Sequence, residues 1–159
     1  MGPRAHRQGL RWLGRSAEGE APCAWHLEAA IAARHAMAAS FDETDWSSIR
    51  ELYDMLLRIR PTPVVALNRA IAVGMAEGPE AGLRALADIE DRDRLVRYPF
   101  LPAAVAEFEQ RAGHPERAAE LLRAALQLVR NRAEEDVLRR KLDACGSAGQ
   151  PDIAGAPRR

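Results

Sequence analysis

A repeated pattern of helix, glycine, Pro-Glu and helix constrains the fold of this chain more than any other feature of its sequence. It occurs at GMAEGPEAGLRALADI, around Gly78, and again at EQRAGHPERAAELLRAAL, around Gly113. The two Pro-Glu pairs, at positions 79–80 and 115–116, start 36 residues apart. A pair of helices joined by so short a turn buries its apolar face only against a neighbouring pair, so such repeats stack on one another.

Helical periodicity extends along the rest of the chain, and no segment alternates apolar and polar residues as a half-buried strand would. The spacing is close to the 34 residues of a tetratricopeptide repeat. We therefore predict an all-α, tetratricopeptide-like helical-hairpin repeat, an α-α superhelix of two or three hairpins and a capping helix. About seven or eight helices are expected. Five of them are placed at about residues 5–17, 22–39, 79–90, 100–112 and 132–143, and the others lie between DETDW and Pro61, between Pro63 and Gly78, and around the apolar positions 118–129.

Proline and capping residues predict where several helices begin and end. In DETDW, Asp42 or Thr44 can cap the third helix. Pro61 ends that helix, because the residue before a proline is disfavoured in helical geometry. Thr62 can cap the next helix and Pro63 suits its first position. Asn131 is a candidate cap further along the chain.

The same patterns suggest three segments. Residues 1–20 are expected to form a linker or short helix, and residues 21–144 a single helical-repeat domain. Residues 145–159 consist of Cys145 and GSAGQPDIAGAPRR. This segment lacks an amphipathic pattern and is expected to be a disordered tail. Residues 91–98 are expected to be an irregular connector.

The composition excludes several classes of protein. The chain has 159 residues and a formal net charge of zero, so no bulk attraction to nucleic acid or to an anionic membrane is expected. Cys23 and Cys145 are far apart, and we expect no disulfide and a reducing, cytoplasmic location. No apolar run is long enough to cross a bilayer, and the first residues lack the apolar core of a signal peptide. The abundance of Arg and Ala favours a bacterial source.

A search for catalytic and metal-binding patterns favours a protein that is not an enzyme. The four histidines have no metal-ligand spacing, and His26 and His35 are too far apart on one helix to share a metal. The glycines mark turns rather than a phosphate loop, and we expect no obvious histidine partner for either cysteine. We expect no metal, no cofactor and no catalytic residue.

Asn68 and Arg69 stand in the middle of PTPVVALNRAIAVGMAEG, a helix that is apolar on almost every face. An arginine in such a place is costly unless a partner meets it. Arg69 could pair with Asp45, Glu51 or Asp54 on the preceding helix, and Asn68 could bind a backbone carbonyl near the Pro61–Pro63 turn. The alternative is that both residues line a groove and contact a partner, and the two interpretations are compatible.

Several motifs together resemble one family, the C-terminal extension of a group of extracytoplasmic-function (ECF) RNA polymerase sigma factors. The motifs are WHLEAAIAARHA, ETDWSSIRELYDMLL, PTPVVALNRAIAV with GPEAGL, and RYPFLPAA. The family usually carries YQLQAAIAAxHA, DWxxIxxLYDxL and PSPVVxLNRAVAV. The resemblance covers about residues 8–143.

The resemblance implies functional and structural positions in this chain. Trp25, His26 and Glu28 depart from the usual Tyr, Gln and Gln, Thr62 replaces a Ser, and Pro99 replaces a His. The two sigma domains that usually precede the extension do not occur in this chain. The implied partner-binding or groove-lining residues are Asp45, Trp46, Tyr53, Asn68, Arg69 and Tyr98, and the structural positions are Pro61, Pro63, Gly78 and Gly113.

The resemblance implies a regulatory, non-enzymatic interaction domain. Its expected partners are RNA polymerase sigma domains or core polymerase, through which it would modulate transcription initiation. The chain alone is not expected to bind DNA or a membrane. The alternative is a free-standing tetratricopeptide-like adaptor for a peptide or small effector. Apolar residues exposed on Ala-rich helices also allow a homodimer, which nothing in the sequence requires.

Overall fold

The computed structural model of the protein describes residues 23–40 and 43–148. Within those ranges the chain forms seven α-helices and no strand, which confirms the all-α prediction. A short 3₁₀-helix, Arg92–Leu95, occupies the segment that was expected to be irregular. The α-helices are α1 (Ala24–Met37), α2 (Trp46–Ile59), α3 (Pro63–Glu77), α4 (Pro79–Ala87), α5 (Phe100–Arg111), α6 (Pro115–Leu126) and α7 (Arg132–Ala148).

The chain divides into two compact units, an N-terminal unit that ends at Asp91 and a C-terminal unit that begins at Arg92. In the N-terminal unit each helix packs on the next, α1 on α2, α2 on α3 and α3 on α4. In the C-terminal unit α5 packs on α6 and α6 on α7. Consecutive helices joined by short turns pack as antiparallel hairpins, so the packing is consistent with the predicted helical repeat. The single domain predicted over residues 21–144 thus comprises two units.

Glycines with positive φ separate the helices of the two repeated motifs. Gly78 lies between α3 and α4 with φ 103°, and Gly113 lies between α5 and α6 with φ 86°. L-residues with a side chain rarely adopt such angles, whereas glycine does so without a steric penalty. The predicted roles of Gly78 and Gly113 as chain-turning residues are therefore confirmed.

The caps of α2 and α3 show how short polar residues set the helix boundaries. Thr62 accepts a hydrogen bond from the backbone N–H of Val65 (3.3 Å), and Pro63 is the first residue of α3, as predicted. The cap of α2 is Asp45 rather than Asp42 or Thr44. The Thr44 hydroxyl instead donates to the carbonyl of Ser40 (3.3 Å), and this bond leaves the capping role to the next residue.

Asp45 is held by several donors at the start of α2. Its carboxylate accepts from the backbone N–H of Ser48 (3.0 Å) and from the Ser48 hydroxyl (2.6 Å). Arg34 of α1 lies 3.3 Å from the same carboxylate. The hydrogen bonds from Ser48, with a smaller contribution from Arg34, hold the pKa of Asp45 below its ordinary value of 3.8.

This lowered pKa predicts an acid-dependent loss of stability. Since the unfolded chain binds the proton at Asp45 more readily than the folded chain does, the stabilisation is complete near neutral pH. It is lost as the pH falls below 3.8 through the folded-state pKa. Asp45→Asn keeps a capping oxygen but no charge, so thermal melts should place wild type above it near neutral pH and bring the two together in acid. A difference in melting temperature that does not change with pH would contradict this role.

Each unit has its own apolar core. In the N-terminal unit Leu27 and Ile31 of α1 meet Ile49 and Leu56 of α2 and Val65 of α3. In the C-terminal unit the core is formed by Ala106, Ala118, Leu122, Ala125, Leu138 and Cys145. The alanines allow close approach of α5, α6 and α7.

The last helix is longer than predicted. Asn131 caps it, accepting from the backbone N–H of Glu134 (2.9 Å), as expected. It continues to Ala148, so the predicted disordered tail is wrong for residues 145–148. The physical reason is tertiary, because Cys145 is only 6% exposed and packs into the core of its unit. The predicted linker and short helix over residues 1–20 and the remainder of the tail lie outside the described residues.

None of the helices in the described ranges combines the length and apolarity needed to cross a membrane.

Candidate interaction site

Asn68 and Arg69 are adjacent on α3 but line two different clefts of the N-terminal unit. Consecutive helical residues do not share a face, so their neighbours differ. Asn68 lies in a groove bounded by α1, α2 and α3, which we call the α1–α3 groove. Arg69 lies in a cleft bounded by α2, α3 and α4, which we call the α2–α4 cleft.

The α1–α3 groove has a volume of about 520 Å³ and opens to solvent. Its floor is apolar, formed by Ile31, Leu56 and Val65, which also belong to the core. The remaining lining combines small, apolar and polar side chains: Glu28, Ala32, His35, Tyr53, Arg60, Thr62, Val64 and Asn68.

The charged residues of the α1–α3 groove neutralise each other. Arg60, which follows α2, donates to the Glu28 carboxylate of α1 at 2.6 Å. The Arg60 guanidinium also lies 6.0 Å from the centre of the Trp25 ring, within the range of a cation–π contact. Trp25 itself is 73% exposed, so it presents an aromatic surface beside the groove.

Tyr53 and Asn68 have hydrogen-bonding capacity that the described part of the chain does not use. Neither side chain donates or accepts a hydrogen bond there. Burial, with a smaller effect from Glu28, raises the pKa of Tyr53, so its hydroxyl keeps its proton at neutral pH. The bond predicted between Asn68 and a carbonyl of the Pro61–Pro63 turn does not form. The groove therefore offers a neutral hydroxyl and a neutral amide.

The half-buried Trp46 and the exposed His35 pack beside this groove. Their rings meet edge to face with centroids 5.3 Å apart. Trp46 starts α2 immediately after its cap, Asp45. The contact joins α1 to α2 at one end of the groove. Asp45 and Trp46, both implied by the resemblance, thus hold α1 against α2, two of the three helices that form the groove.

Arg69 is held by the helix that precedes it. Its Nε donates to Oδ1 of Asp54 at 2.5 Å, joining α3 to α2. Asp54 was one of three predicted partners, and Asp45, another of them, is engaged at the cap of α2. The pair is partly exposed, with 37% and 33% of the two side chains accessible. The structural interpretation of Arg69 is confirmed by this ion pair.

We expect Arg69→Ala to lower the free energy of unfolding by about 1–2 kcal/mol, between the values for exposed and buried ion pairs. The substitution leaves the Asp54 carboxylate half-buried without its cation. Denaturant unfolding of wild type, Arg69→Ala, Asp54→Ala and the double variant measures the coupling between the two residues. Arg117→Ala is a matched control, because its pair with Glu120 is more than 60% exposed on both sides. Equal losses for the two arginine variants would contradict this assignment.

The α2–α4 cleft, of about 500 Å³, is lined by more charged groups. Besides Arg69 they include Glu77, Arg84 and Asp88. Glu77 is engaged by Arg50 of α2 at 2.8 Å. Arg69 and Glu77 both form ion pairs that join α3 to α2, so these charged groups of the cleft stabilise the packing of the two helices.

Tyr98 belongs to the C-terminal unit. Its ring packs edge to face on Phe100 with centroids 5.2 Å apart. Its backbone N–H donates to the carbonyl of Leu95 (2.9 Å), the last residue of the 3₁₀-helix, so this bond lies in the short connection between the 3₁₀-helix and α5. The other five residues of the predicted site lie in the N-terminal unit.

A second cluster of ionisable groups lies in the C-terminal unit. Lys141 of α7 and Arg111 of α5 both donate to Glu107, at 2.5 and 2.8 Å. Burial alone would raise the pKa of Glu107, but the hydrogen bonds from Lys141 and Arg111 hold that pKa below its ordinary range. The cluster borders a cavity of about 110 Å³ beside the thiol of Cys145, whose pKa is raised mainly by burial. Its charges join α5 to α7.

Three features were not predicted from the sequence: the pair Glu28–Arg60, the exposure of Trp25, and a contact of 3.3 Å between Cys23 Sγ and His26 Nδ1. Glu28 and Arg60 are separated by 32 positions, and no local pattern predicts that they meet. Trp25 and Glu28 stand where the resembled family usually has Tyr and Gln, and this departure is the feature of the sequence that could have drawn attention to the two positions. Among the described residues, no group of three or more His, Cys, Asp or Glu side chains is arranged to hold a metal ion.

No protein-family model matches the chain, and no solved structure matches it. An uncharacterized protein of Rhizobium meliloti (strain 1021) is similar to it, with 37% identity over 122 residues. The similar region covers 77% of this chain but 28% of that protein. The chain therefore spans little more than a quarter of the length of this relative.

Proposed function

We propose that this chain is a regulatory protein-interaction domain of an ECF-type RNA polymerase sigma factor. It modulates transcription initiation by contacting sigma domains or core polymerase, and it has no catalytic role. The observation that carries the proposal is the location of the three motifs that resemble that family. WHLEAAIAARHA lies in α1, ETDWSSIRELYDMLL extends through most of α2, and PTPVVALNRAIAV begins α3.

These three helices, with the residues that follow α2, supply the lining of the α1–α3 groove. The polar motif residues Tyr53 and Asn68 line it, and neither side chain forms a hydrogen bond within the described part of the chain. A buried core would not need a tyrosine hydroxyl and an amide left without partners, whereas a binding surface uses such groups. The motifs therefore support a role in contacting another molecule.

The charges in the groove favour binding over catalysis. Glu28 and Arg60 are committed to each other at 2.6 Å, so neither is placed as a free proton donor or acceptor. The zero net charge of the chain supports a protein partner rather than direct binding to DNA. The relative from Rhizobium meliloti supports the proposal in one further respect, since the similar region is part of a longer protein there.

A second candidate function is a free-standing adaptor that binds a peptide or small effector. The unused polar groups of Tyr53 and Asn68 favour it, because they suit such a ligand as well as a sigma domain. The two functions differ in the partner and share the surface.

A pull-down tests the proposal. The full chain is immobilised and exposed to the two sigma domains of an ECF sigma factor from the same genome, and separately to core polymerase. We expect retention of at least one of them by wild type. If neither is retained while circular dichroism shows a folded helical chain, the proposal is wrong and the adaptor takes its place.

A further inference from the structure

From the chemistry of the α1–α3 groove, we infer that it binds an extended peptide segment that carries no net charge. The backbone amides of that segment bind Asn68 and Tyr53, and an apolar side chain of the segment packs on the groove floor. This inference rests on the proposed function and deepens it, because it names the chemistry of the partner segment.

The size of the groove suits a few residues of extended chain. Its lining on α1 runs from Glu28 to His35, which spans about 10 Å at 1.5 Å per helical residue. An extended chain advances about 3.3 Å per residue, so about three residues fit along this length. Pockets for small molecules usually bury most of the ligand surface. This groove opens to solvent, and an open groove suits a segment that is covered on one side.

The polar groups of the groove match a peptide backbone. The Asn68 amide contains both a donor and an acceptor, and an extended peptide presents an N–H and a C=O from each residue. One side chain can therefore bind both groups of the segment. The Tyr53 hydroxyl, which stays protonated, adds a second donor.

The charge of the groove selects against charged segments. Its two formally charged residues, Glu28 and Arg60, already pair with each other. A charged side chain entering between them would either break that pair or remain without a counter-charge, and both outcomes are costly. The apolar floor of Ile31, Leu56 and Val65 favours an aliphatic side chain instead. Trp25, exposed beside Arg60, extends this apolar surface at the rim.

The test uses the full chain and three pools of randomised octapeptides, acetylated and amidated at their ends. The pools have net charges of zero, plus three and minus three. Fluorescence anisotropy should show saturable binding of the neutral pool and at least tenfold weaker binding of the charged pools. The best neutral peptide is then isolated from its pool. Asn68→Ala should weaken its binding at least tenfold. Tyr53→Phe, which removes the hydroxyl and keeps the ring, should also weaken its binding. N-methylation of one central amide of that peptide should cause a comparable loss.

Gln127→Ala is the matched control, an exposed amide at the end of α6 in the other unit, and it should bind as wild type does. Preference for a charged pool, no binding of any pool, or binding insensitive to both Asn68→Ala and Tyr53→Phe would overturn the inference. If Asn68→Ala fails to fold, the Tyr53→Phe and N-methyl results decide.

The outcomes separate this inference from the proposed function. If wild type and Asn68→Ala retain sigma domains or polymerase equally well, the peptide inference is wrong and the proposed function is supported. If neutral peptides bind through Asn68 but neither sigma domains nor polymerase is retained, the peptide inference is supported and the proposed function is wrong.

Discussion

Replacing Leu56 with alanine should lower the free energy of unfolding by about 2–5 kcal/mol, the range for a buried leucine whose removal leaves a cavity. Leu56 is 2% exposed and packs in the core of the N-terminal unit. It also forms part of the floor of the α1–α3 groove. The same substitution should therefore weaken binding of any ligand that uses this floor. Denaturant unfolding followed by far-UV circular dichroism measures the stability change.

Ile59→Ala is the matched control for Leu56→Ala. Ile59 is an aliphatic residue on the same helix, less than one turn away, but it is 49% exposed. Its replacement should change stability by about 0.5 kcal/mol or less. Similar losses of stability for the two variants would contradict the burial of Leu56 in the core of the N-terminal unit.

Gly78→Ala should cost about 1–3 kcal/mol, because the backbone at Gly78 has φ 103° and ψ 164°, a conformation almost restricted to glycine. The cost comes from backbone strain and not from crowding. An added Cβ would meet only the carboxylate of Glu80, at an ordinary 3.8 Å. The measurement is again the free energy of unfolding.

Gly146→Ala, the same chemical change at another position, is expected to have the opposite effect on stability. Gly146 lies within α7, and an added Cβ there would meet nothing within 4 Å. Alanine is the better helix former by about 1 kcal/mol, so this variant should be stabilised or unchanged. Loss of stability at Gly146, or none at Gly78, would contradict the backbone geometry that separates α3 from α4.

The features that could be predicted from the sequence are those with local causes. Pro61 restricts the residue before it, and Pro63 and Gly78 act through the conformation of their own backbone. The end of α2, both ends of α3 and the start of α4 therefore follow from residue type. Residue type alone does not determine which residue caps α2. Asp42, Thr44 and Asp45 can all accept a capping hydrogen bond, and a bond from Thr44 to Ser40 leaves the role to Asp45.

Features that depend on distant residues were predicted only in part. The partner of Arg69 could be narrowed to three acidic residues of the preceding helix, and contact between α2 and α3 selects Asp54. The pair Glu28–Arg60 could not be predicted, because it requires that α1 and the end of α2 lie side by side. The length of α7 was underestimated for a similar reason, since burial of Cys145 is a tertiary effect.

The proposed function requires this chain to bind sigma domains or core polymerase. Binding is measured by titrating the purified full chain with the sigma-domain pair and, separately, with core polymerase. We expect saturable one-to-one binding to at least one of them, with an affinity that Gln127→Ala does not change. No saturable binding to either, by a chain whose helices are shown to be folded, would contradict the proposed function.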